Sequence, residues 1–409
     1  MEAAILPRLA ASLLTRALDV SPVVVLTGGR QTGKSTLVQT LPALQGRAYA
    51  TLDDLLVRGQ AESEPDDLVL RAPLLTLDEV QRAPALILAI KRAVDRQRPR
   101  QRGRFVLTGS ANLLLMKRVS ETLAGRATYV TLWPLTRRER FGAGRAGIWG
   151  SFFDLPAKDW HDLVQSEQVP AEDWREAARI GGYPTPAHEL TGHEARSIWF
   201  GGYVQTYLER DLRDLAAVDS LVDFRRFMRA AALRVGSLLN QAEIGRDAAI
   251  PRSSIHRYIN LLETSYQVVR LEPYSVNRTK RLIKTPKLYW ADPGLALFLS
   301  GEEPGGKHLE NLVLADLIAW RDGQFVKPEI LYWRTVSDQE VDFVIERGHK
   351  LLPIEVKATA RPSHHDVRHL KAFCEEYGSK VVGAVLLHTG NDAFWLGKDI
   401  LAAPWWRVV

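Results

Sequence analysis

The chain has 409 residues, of which 46% are apolar and 25% charged, a globular balance that excludes a disordered or fibrous protein. No apolar run reaches the roughly 18 residues of a membrane span, and the single cysteine, Cys374, excludes an intrachain disulfide and a cysteine-rich zinc site. Residues 1–150 hold 22 Lys and Arg against 13 Asp and Glu, which gives them a net charge of +9. Because the whole chain has a net charge of +6, the remainder carries −3. We expect a cytoplasmic protein of several domains with no membrane partner.

Residues 1–145 predict a parallel α/β sheet, because short apolar runs recur there at helix-sized intervals. The runs are VVVLTGG from residue 23, PLLTLDE at 73–79 and FVLTGS at 105–110, and a helix beginning KSTLVQTL follows the first run.

The segment between the first strand and its helix fits the phosphate-loop pattern G-x-x-x-x-G-K-[ST], in the strand-to-helix context that confirms it. Glycines let the backbone bend so that its N–H groups surround phosphate oxygens. Lys34 is expected to reach the β- and γ-phosphates of ATP, and the Ser35 hydroxyl to bind Mg²⁺. The predicted nucleotide-binding residues are Gly28, Gly29, Arg30, Gln31, Thr32, Gly33, Lys34, Ser35 and Thr36.

Two carboxylates end the apolar run at 73–79. Asp78 is expected to hold Mg²⁺ through its water shell, and Glu79 to polarise the attacking water. Because a glutamate directly follows the aspartate, the pattern favours hydrolysis over nucleotide storage.

Polar residues lie at the end of the apolar run at 105–110 and just after it, where ATPases with a phosphate loop place a γ-phosphate sensor. Thr108, Ser110 and Asn112 are the candidates, with Ser110 preferred. Arg126 is a candidate sensor or an arginine finger acting on a neighbour's ATP, which would require an oligomer; the alternative is a structural arginine. The run from Lys91 to Arg104 has seven basic residues and one acid, and it is either a nucleic-acid contact or a solvated loop.

Residues 146–200 hold four tryptophans and nine acids against four bases, which indicates a helical linker region. Residues 201–300 predict a winged helix, with one short helix from Gln241 and a second from Arg252 that begins with Arg and Ser. The basic cluster that follows lies where a wing would contact phosphates, and it comprises Arg278, Lys280, Arg281, Lys284 and Lys287. A winged fold used only for protein contact is the alternative. The predicted DNA-binding residues are Arg252, Ser253, Arg257, Arg278, Lys280, Arg281 and Lys284.

Residues 301–409 return to a mixed α/β pattern, with a helix that carries Glu310 and a hairpin at 341–357. If the hairpin turns at 347–350, Asp342 faces Glu355 and lies on the same side of the sheet as Lys357. Two facing carboxylates repel unless a cation lies between them, so a Mg²⁺ site with Glu310 as a further ligand is expected. This order of residues resembles the PD-(D/E)xK nucleases, although Val341 stands where their proline is expected; a charged surface hairpin and a non-cleaving nuclease fold are the alternatives.

Taken together, the motifs GGRQTGKSTL, LDEVQRAP, LTGSANLLL, LAGR, GGYP, YLERDL, EVDFVIE and IEVKA resemble a group of prokaryotic AAA-type P-loop ATPases. The resemblance implies an AAA-type P-loop domain at 1–145, a helical region at 146–200, a winged helix at 201–300 and a nuclease-like α/β domain at 301–409. It also implies ATP hydrolysis, DNA association and a homo-oligomer such as a hexameric ring.

The leading hypothesis is an oligomeric ATPase that moves or remodels branched or forked DNA. The alternatives are a winged-helix regulator switched by nucleotide and a Mg²⁺-dependent endonuclease gated by ATP.

Overall fold

A computed structural model describes residues 5–97, 99–109, 122–211, 220–277, 281 and 284–409. Three sheets organise this part of the chain: a five-stranded parallel sheet, a three-stranded antiparallel sheet and a six-stranded mixed sheet. The α/β class with a parallel N-terminal sheet, a largely helical middle and a mixed C-terminal sheet is confirmed. The domain boundaries at 145, 200 and 300 stay predictions.

The N-terminal sheet is buried on both faces, as its near-continuous apolar strands require. In β1, Val23 and Val25 pack against one helical layer and Val24 and Leu26 against the other. The strand order is β2-β3-β4-β1-β5, and every pair is parallel. The elements are α1 Ala10–Val20, β1 Val23–Thr27, α2 Lys34–Thr40, β2 Ala48–Thr51, α3 Leu55–Ser63, α4 Pro65–Leu70, β3 Leu75–Asp78, α5 Ala85–Arg96, β4 Phe105–Thr108 and β5 Ala127–Thr131.

The region predicted as a linker is helical, but it does not stand apart from the other domains. Trp149 and Trp160 are fully buried in the same apolar core as Trp405 near the C-terminus. Its helices are α6 Arg137–Arg140, α7 Ser151–Asp154, α8 Trp160–Ser166, α9 Trp174–Ile180 and α10 His193–Tyr203, with π-helical turns at Thr185–Glu189 and Val204–Asp211.

The middle domain has the element order helix, strand, two helices, two strands, and its sheet order is β6-β8-β7. Asn240 caps the second helix, since its side chain accepts a hydrogen bond from the N–H of Glu243. The third helix buries Ile255, Ile259 and Leu262, the predicted apolar face. The elements are α11 Leu221–Ala232, β6 Ser237–Leu238, α12 Gln241–Ala248, α13 Arg252–Thr264, β7 Val268–Leu271 and β8 Lys287–Trp290.

The C-terminal sheet has the order β13-β14-β12-β11-β10-β9 and lies between a long helix, α15, and a second helix, α16. The predicted hairpin register is confirmed, because Val344 pairs with Pro353 and Glu346 with Leu351. The elements are α14 Pro293–Ser300, α15 Gly306–Asp322, β9 Glu329–Arg334, β10 Glu340–Arg347, β11 Lys350–Lys357, α16 Arg368–Tyr377, β12 Ala384–His388, β13 Phe394–Gly397, β14 Ile400–Pro404 and α17 Trp405–Val408. Across the described residues, every helix is too short or too polar to span a bilayer.

Candidate functional site

The phosphate loop follows β1 at the carboxyl edge of the parallel sheet. Gly28 and Gly33 have φ values of 144° and 90°, which side-chain-bearing residues rarely adopt. A Cβ atom at Gly28 would lie 2.2 Å from the carbonyl oxygen of Leu132, so only glycine fits there. These two glycines therefore set the path of the loop before Lys34 opens α2.

The ammonium group of Lys34 points back into the loop. Its Nζ donates hydrogen bonds to the carbonyl oxygens of Gly29 at 2.7 Å and Gly28 at 3.3 Å. Burial lowers the pKa of Lys34 to about 8, although the nearby Glu79 and Asp78 partly oppose this shift. A buried ammonium with a lowered pKa gains from an incoming anion, so the loop is suited to bind a phosphate chain.

Arg8, in the N-terminal segment, supports the loop, although it belongs to no motif that predicts this role. Its buried guanidinium donates to the carbonyl oxygens of Thr32 at 2.7 Å and Trp133 at 2.6 Å, and to Glu139 at 3.1 Å. The acceptors lie 24 to 131 residues from Arg8 in the sequence, so the contact forms only in the folded chain.

Asp78 lies at the end of β3, buried beside the loop. Its carboxylate accepts hydrogen bonds from the Thr108 hydroxyl on β4 and, at 2.8 Å, from the Tyr49 hydroxyl on β2. The Thr108 hydroxyl also accepts from the N–H of Glu79 at 3.2 Å. Thr108 therefore links the Asp78 carboxylate to the backbone of Glu79. The preferred sensor, Ser110, and Asn112 lie outside the described residues.

Glu79 has a φ of 57°, in the left-handed region that non-glycine residues seldom occupy. Its half-buried carboxylate accepts a hydrogen bond from the Gln81 amide. Strained backbone of this kind concentrates at functional sites, where the surrounding structure enforces it. The strain agrees with a specific orientation of Glu79 beside Lys34.

Arg126 lies just before β5, at the amino ends of the strands and thus opposite the phosphate loop. Its carbonyl oxygen accepts a hydrogen bond from the N–H of Val23 at the start of β1. Its guanidinium makes two hydrogen bonds of 2.8 Å to Asp95. The structure therefore does not bring Arg126 to the phosphate loop of its own chain, so a sensor role within one chain is wrong. Action on a neighbouring chain stays a prediction.

The basic run at 91–104 is largely paired within the chain. Arg92 binds Asp66, Arg100 binds Asp95, and Arg104 donates to the carbonyl oxygen of Ala93. Arg98 lies outside the described residues. These contacts favour a structural explanation for the run over a nucleic-acid contact.

The middle domain packs directly on the phosphate loop. The Thr27 hydroxyl and the Tyr266 hydroxyl are 3.1 Å apart, and the side chain of Gln267 lies beside Gly29. The Tyr203 hydroxyl hydrogen-bonds to Gln267 and, at 3.5 Å, to the carbonyl oxygen of Arg30. Tyr266 and Gln267 follow the last turn of α13. The loop and α13 are thus joined by side-chain contacts.

A second contact involves the π-helical turn after α10. The guanidinium of Arg30 lies 5.6 Å from the ring centre of the buried Tyr207, which is within range of a cation–π interaction. Arg30 is otherwise exposed at the tip of the loop.

A cavity of about 150 Å³ adjoins the start of α2. It is lined by Gly33, Thr36, Leu37 and Leu135 of the N-terminal domain, together with Pro184 of the helical region. It therefore lies between the N-terminal domain and the helical region that follows.

The start of α13 is exposed at Arg252 and Ser253, as predicted. Arg257, one turn later, is half-buried, and its guanidinium lies 5.6 Å from the ring centre of Tyr258. The first two side chains are accessible to a partner.

A cleft of about 640 Å³ connects α13 with the segment before β8. Arg252 and Arg270 line it together with Lys284, which is exposed, and with the first residues of α12. Arg270 also pairs with Glu263 at 3.0 Å. Arg278 and Lys280 lie outside the described residues.

The prediction that Arg281 contacts DNA is wrong. Its side chain is buried and forms ion pairs with Glu329 at 2.5 Å and Glu346 at 2.6 Å, on β9 and β10. The guanidinium also lies 4.9 Å from the ring centre of Tyr274. Arg281 therefore holds the middle and C-terminal domains together.

The C-terminal carboxylates do come together, but with lysines between them. The Nζ of Lys307 lies 3.2 Å from Glu310, the Nζ of Lys357 lies 2.6 Å from Glu355, and the Nζ of Lys287 lies 2.5 Å from Glu340. We call this group the carboxylate–lysine cluster, which comprises Lys287, Lys307, Glu310, Glu340, Asp342, Glu355 and Lys357.

The predicted Mg²⁺ site in this cluster is not formed. Among the described residues, no three Asp, Glu, His or Cys side chains are placed to hold a metal ion. Glu310 instead accepts hydrogen bonds from Tyr289 and Lys307, and Asp342 accepts one of 2.8 Å from the N–H of Val356. The lysines supply the positive charge that the prediction assigned to a metal.

Comparison with known families divides the chain into three parts. Residues 20–141 match the AAA domain, residues 171–305 match a domain of unknown function (DUF8612), and residues 305–408 match a second one (DUF4143). Over 414 aligned residues the chain is 30% identical to the uncharacterized proteins Rv2008c of Mycobacterium tuberculosis and Mb2031c of Mycobacterium bovis, covering 97% of this chain and 82% of each relative. The chain belongs to their family.

More distant similarities extend beyond mycobacteria. An uncharacterized protein of Haemophilus influenzae is 22% identical over 281 residues, which are 67% of this chain and 64% of the relative. Among solved structures, the Walker-type ATPase PABY2304 of Pyrococcus abyssi aligns with 72% of this chain and 99% of its own at 16% identity and a TM-score of 0.43.

The AAA match spans all five strands of the parallel sheet and the phosphate loop. This part of the chain is an AAA-type P-loop ATPase fold. This fold implies nucleotide binding, and it supports ATP binding and hydrolysis as the activity of this protein.

Proposed function

We propose that the protein is an ATP-driven motor or remodeller that acts on branched or forked DNA. The contact between the phosphate loop and the end of α13 carries this proposal. Tyr266 and Gln267 touch the loop at Thr27 and Gly29, so a change in the loop on nucleotide binding reaches α13 through side chains already in contact.

For hydrolysis, Lys34 binds the β- and γ-phosphate oxygens, and Glu79 orients and deprotonates the attacking water. The half-buried Ser35 hydroxyl and the Asp78 carboxylate are hard oxygen donors at the loop, which fit a Mg²⁺ ion bound with ATP. Such an ion supplies positive charge to the phosphate oxygens. Thr108 and Tyr49 keep Asp78 oriented through the hydrogen bonds described above.

The cavity beside α2 is proposed to bind the base of the nucleotide. Leu37, Leu135 and Pro184 give it apolar surface suited to a flat ring, and Gly33 places it next to the phosphates. Because Pro184 follows the N-terminal domain in sequence, a bound nucleotide would contact two parts of the chain.

The middle domain is proposed to bind DNA as a winged helix. Its order of helix, strand, two helices and two strands supports this interpretation, and α13 starts with the exposed Arg252 and Ser253. Arg252 and Lys284 share one cleft with Arg270, which would place cations along a phosphate backbone.

The proposal includes a homo-oligomer, such as a hexameric ring, in which Arg126 acts on the ATP of a neighbour. Mixing Arg126→Ala with Lys34→Ala protein should partly restore ATPase activity, because each variant would supply what the other lacks. If the mixture stays inactive, Arg126 serves only its pair with Asp95.

The decisive experiment measures ATPase rates with single-stranded, duplex, forked and four-way DNA, and analyses cleavage products in parallel. Stimulation by branched DNA is expected, and Arg252→Ala with Lys284→Ala should remove it while basal hydrolysis persists. Arg226→Ala, on the exposed side of α11, is the matched control.

Two other results would contradict the proposal. Tight nucleotide binding without turnover would favour a nucleotide-switched winged-helix regulator. If no DNA stimulates ATP hydrolysis, the ATPase activity is not coupled to DNA binding by the middle domain.

A further inference from the structure

We propose that Lys287 of the middle domain takes the place of a divalent cation in the carboxylate–lysine cluster and holds the middle and C-terminal domains together. This inference goes beyond the ATPase proposal and does not depend on it. It concerns the contact between Lys287 of β8 and the carboxylates of β10 in the C-terminal sheet.

The positive charge at the centre of the cluster comes from a different domain than the carboxylates. Glu340 and Asp342 belong to β10, whereas Lys287 is the first residue of β8. The Lys287 Nζ lies 2.5 Å from Glu340 and 4.0 Å from Asp342. One ammonium thus lies between carboxylates that would otherwise repel each other.

A second side chain of β8 covers the cluster from the same direction. The hydroxyl of Tyr289, two residues after Lys287, donates to Glu310 at 3.1 Å. Alternate residues of a strand share one face, so β8 presents the lysine and the tyrosine together. Gly236 closes the neighbouring side, because a Cβ there would lie 3.3 Å from Glu310.

Burial makes this contact different from a surface ion pair. The Lys287 side chain is 2% exposed. Burial alone disfavours its charge, but Asp342, Glu310 and Glu340 outweigh it and raise the pKa of Lys287 above its ordinary value. The residue remains an ammonium, and a buried ammonium fixed by carboxylates excludes a second cation from the same space.

The charge balance also leaves little need for a metal. Four carboxyl groups face three ammonium groups, those of Lys287, Lys307 and Lys357. Burial, with Asp342 nearby, raises the pKa of Glu310 to about 7. A divalent ion added to this set would give it excess positive charge.

The test uses the full nucleotide-free chain after EDTA treatment, with Mn²⁺ as the probe and bound Mn²⁺ measured by electron paramagnetic resonance. Wild type and Asp342→Asn should bind equal amounts, so any ion at the phosphate loop cancels in the comparison. Lys287→Gln should gain one Mn²⁺ per chain, and adding Asp342→Asn should remove it. Lys398→Gln, an exposed lysine of the C-terminal domain, is the control and should match wild type.

Wild-type Mn²⁺ binding that falls in Asp342→Asn would overturn the inference, as would a folded Lys287→Gln protein that gains none. The wild-type comparison decides the question even if Lys287→Gln does not fold.

The role between domains has its own readout. The segment from Gly301 to Lys307 is largely exposed and contains Glu302 and Glu303. A glutamate-specific protease should cut there several-fold faster in Lys287→Gln than in Lys398→Gln. Equal cutting rates would refute the claim that Lys287 holds the two domains together.

Discussion

Two buried lysines of this molecule have opposite surroundings. Lys34 hydrogen-bonds to backbone carbonyls of the phosphate loop, and burial lowers its pKa to about 8. Lys287 is also buried, but carboxylates around it outweigh the burial and raise its pKa. The first lysine lacks a full counter-charge until a ligand brings one, whereas the second already has its counter-charges within the protein. Buried charge alone therefore does not identify a binding site, and the balance of partners decides.

The largest expected effect distinguishes ATP hydrolysis from ATP binding at the site of Lys34. Glu79→Gln should lower the ATPase rate by about 10²–10⁴-fold, because it removes the general base. Nucleotide affinity should stay close to wild type, since Lys34 and the loop are intact. Steady-state hydrolysis and titration calorimetry measure the two quantities, and unchanged hydrolysis would contradict the role of Glu79.

Replacing either lysine with methionine should change the stability of the protein, in opposite directions at the two positions. Lys287→Met removes the buried ammonium that pairs with Glu340 and Asp342 and should cost about 3–5 kcal/mol. Lys34→Met removes a buried charge with a lowered pKa and should raise the melting temperature of the nucleotide-free protein. Differential scanning calorimetry at neutral pH measures both, and a comparable loss in the two variants would refute the contrast.

Nucleotide affinity should depend on Lys34 but not on a surface lysine. Lys34→Ala should weaken ATP binding by about 10²-fold, because charge-assisted hydrogen bonds contribute about 1.5–3 kcal/mol each. Lys398→Ala serves as the surface control. A fluorescent ATP analogue reports the affinity, and wild-type affinity in Lys34→Ala would remove the basis of the phosphate site.

The smallest effect is a pH dependence. Bound phosphates favour the charged form of Lys34, so the complex binds more protons than the free protein above pH 8. ATP affinity should therefore fall by up to about tenfold per pH unit above about 8. The Lys34→Met variant should lose this slope, and a wild-type affinity that stays flat up to pH 10 would contradict the lowered pKa.

The phosphate loop could be predicted because its information is contiguous. Gly28 to Ser35 carries the backbone shape, the ammonium and the hydroxyl in one segment, and a strand and helix flank it. The register of the hairpin could also be predicted from one short segment, because a short turn and the alternation of strand side chains determine which residues face each other.

The partners of the C-terminal carboxylates could not be predicted in the same way. In the sequence Lys287 belongs to the basic cluster of the predicted wing, and only the folded chain places it between Glu340 and Asp342. The same cluster predicts a DNA contact for Arg281, whereas in the structure Glu329 and Glu346 bind it from 48 and 65 residues away. Sequence patterns show that a residue is charged, but not which distant charge will meet it.

The contact of Lys34 with Gly28 and Gly29 has a calorimetric consequence. The Lys34 ammonium already donates hydrogen bonds to two carbonyl oxygens of its own loop. Nucleotide binding therefore exchanges these acceptors for phosphate oxygens, and Lys34 contributes to the binding enthalpy only the difference between the two sets of hydrogen bonds.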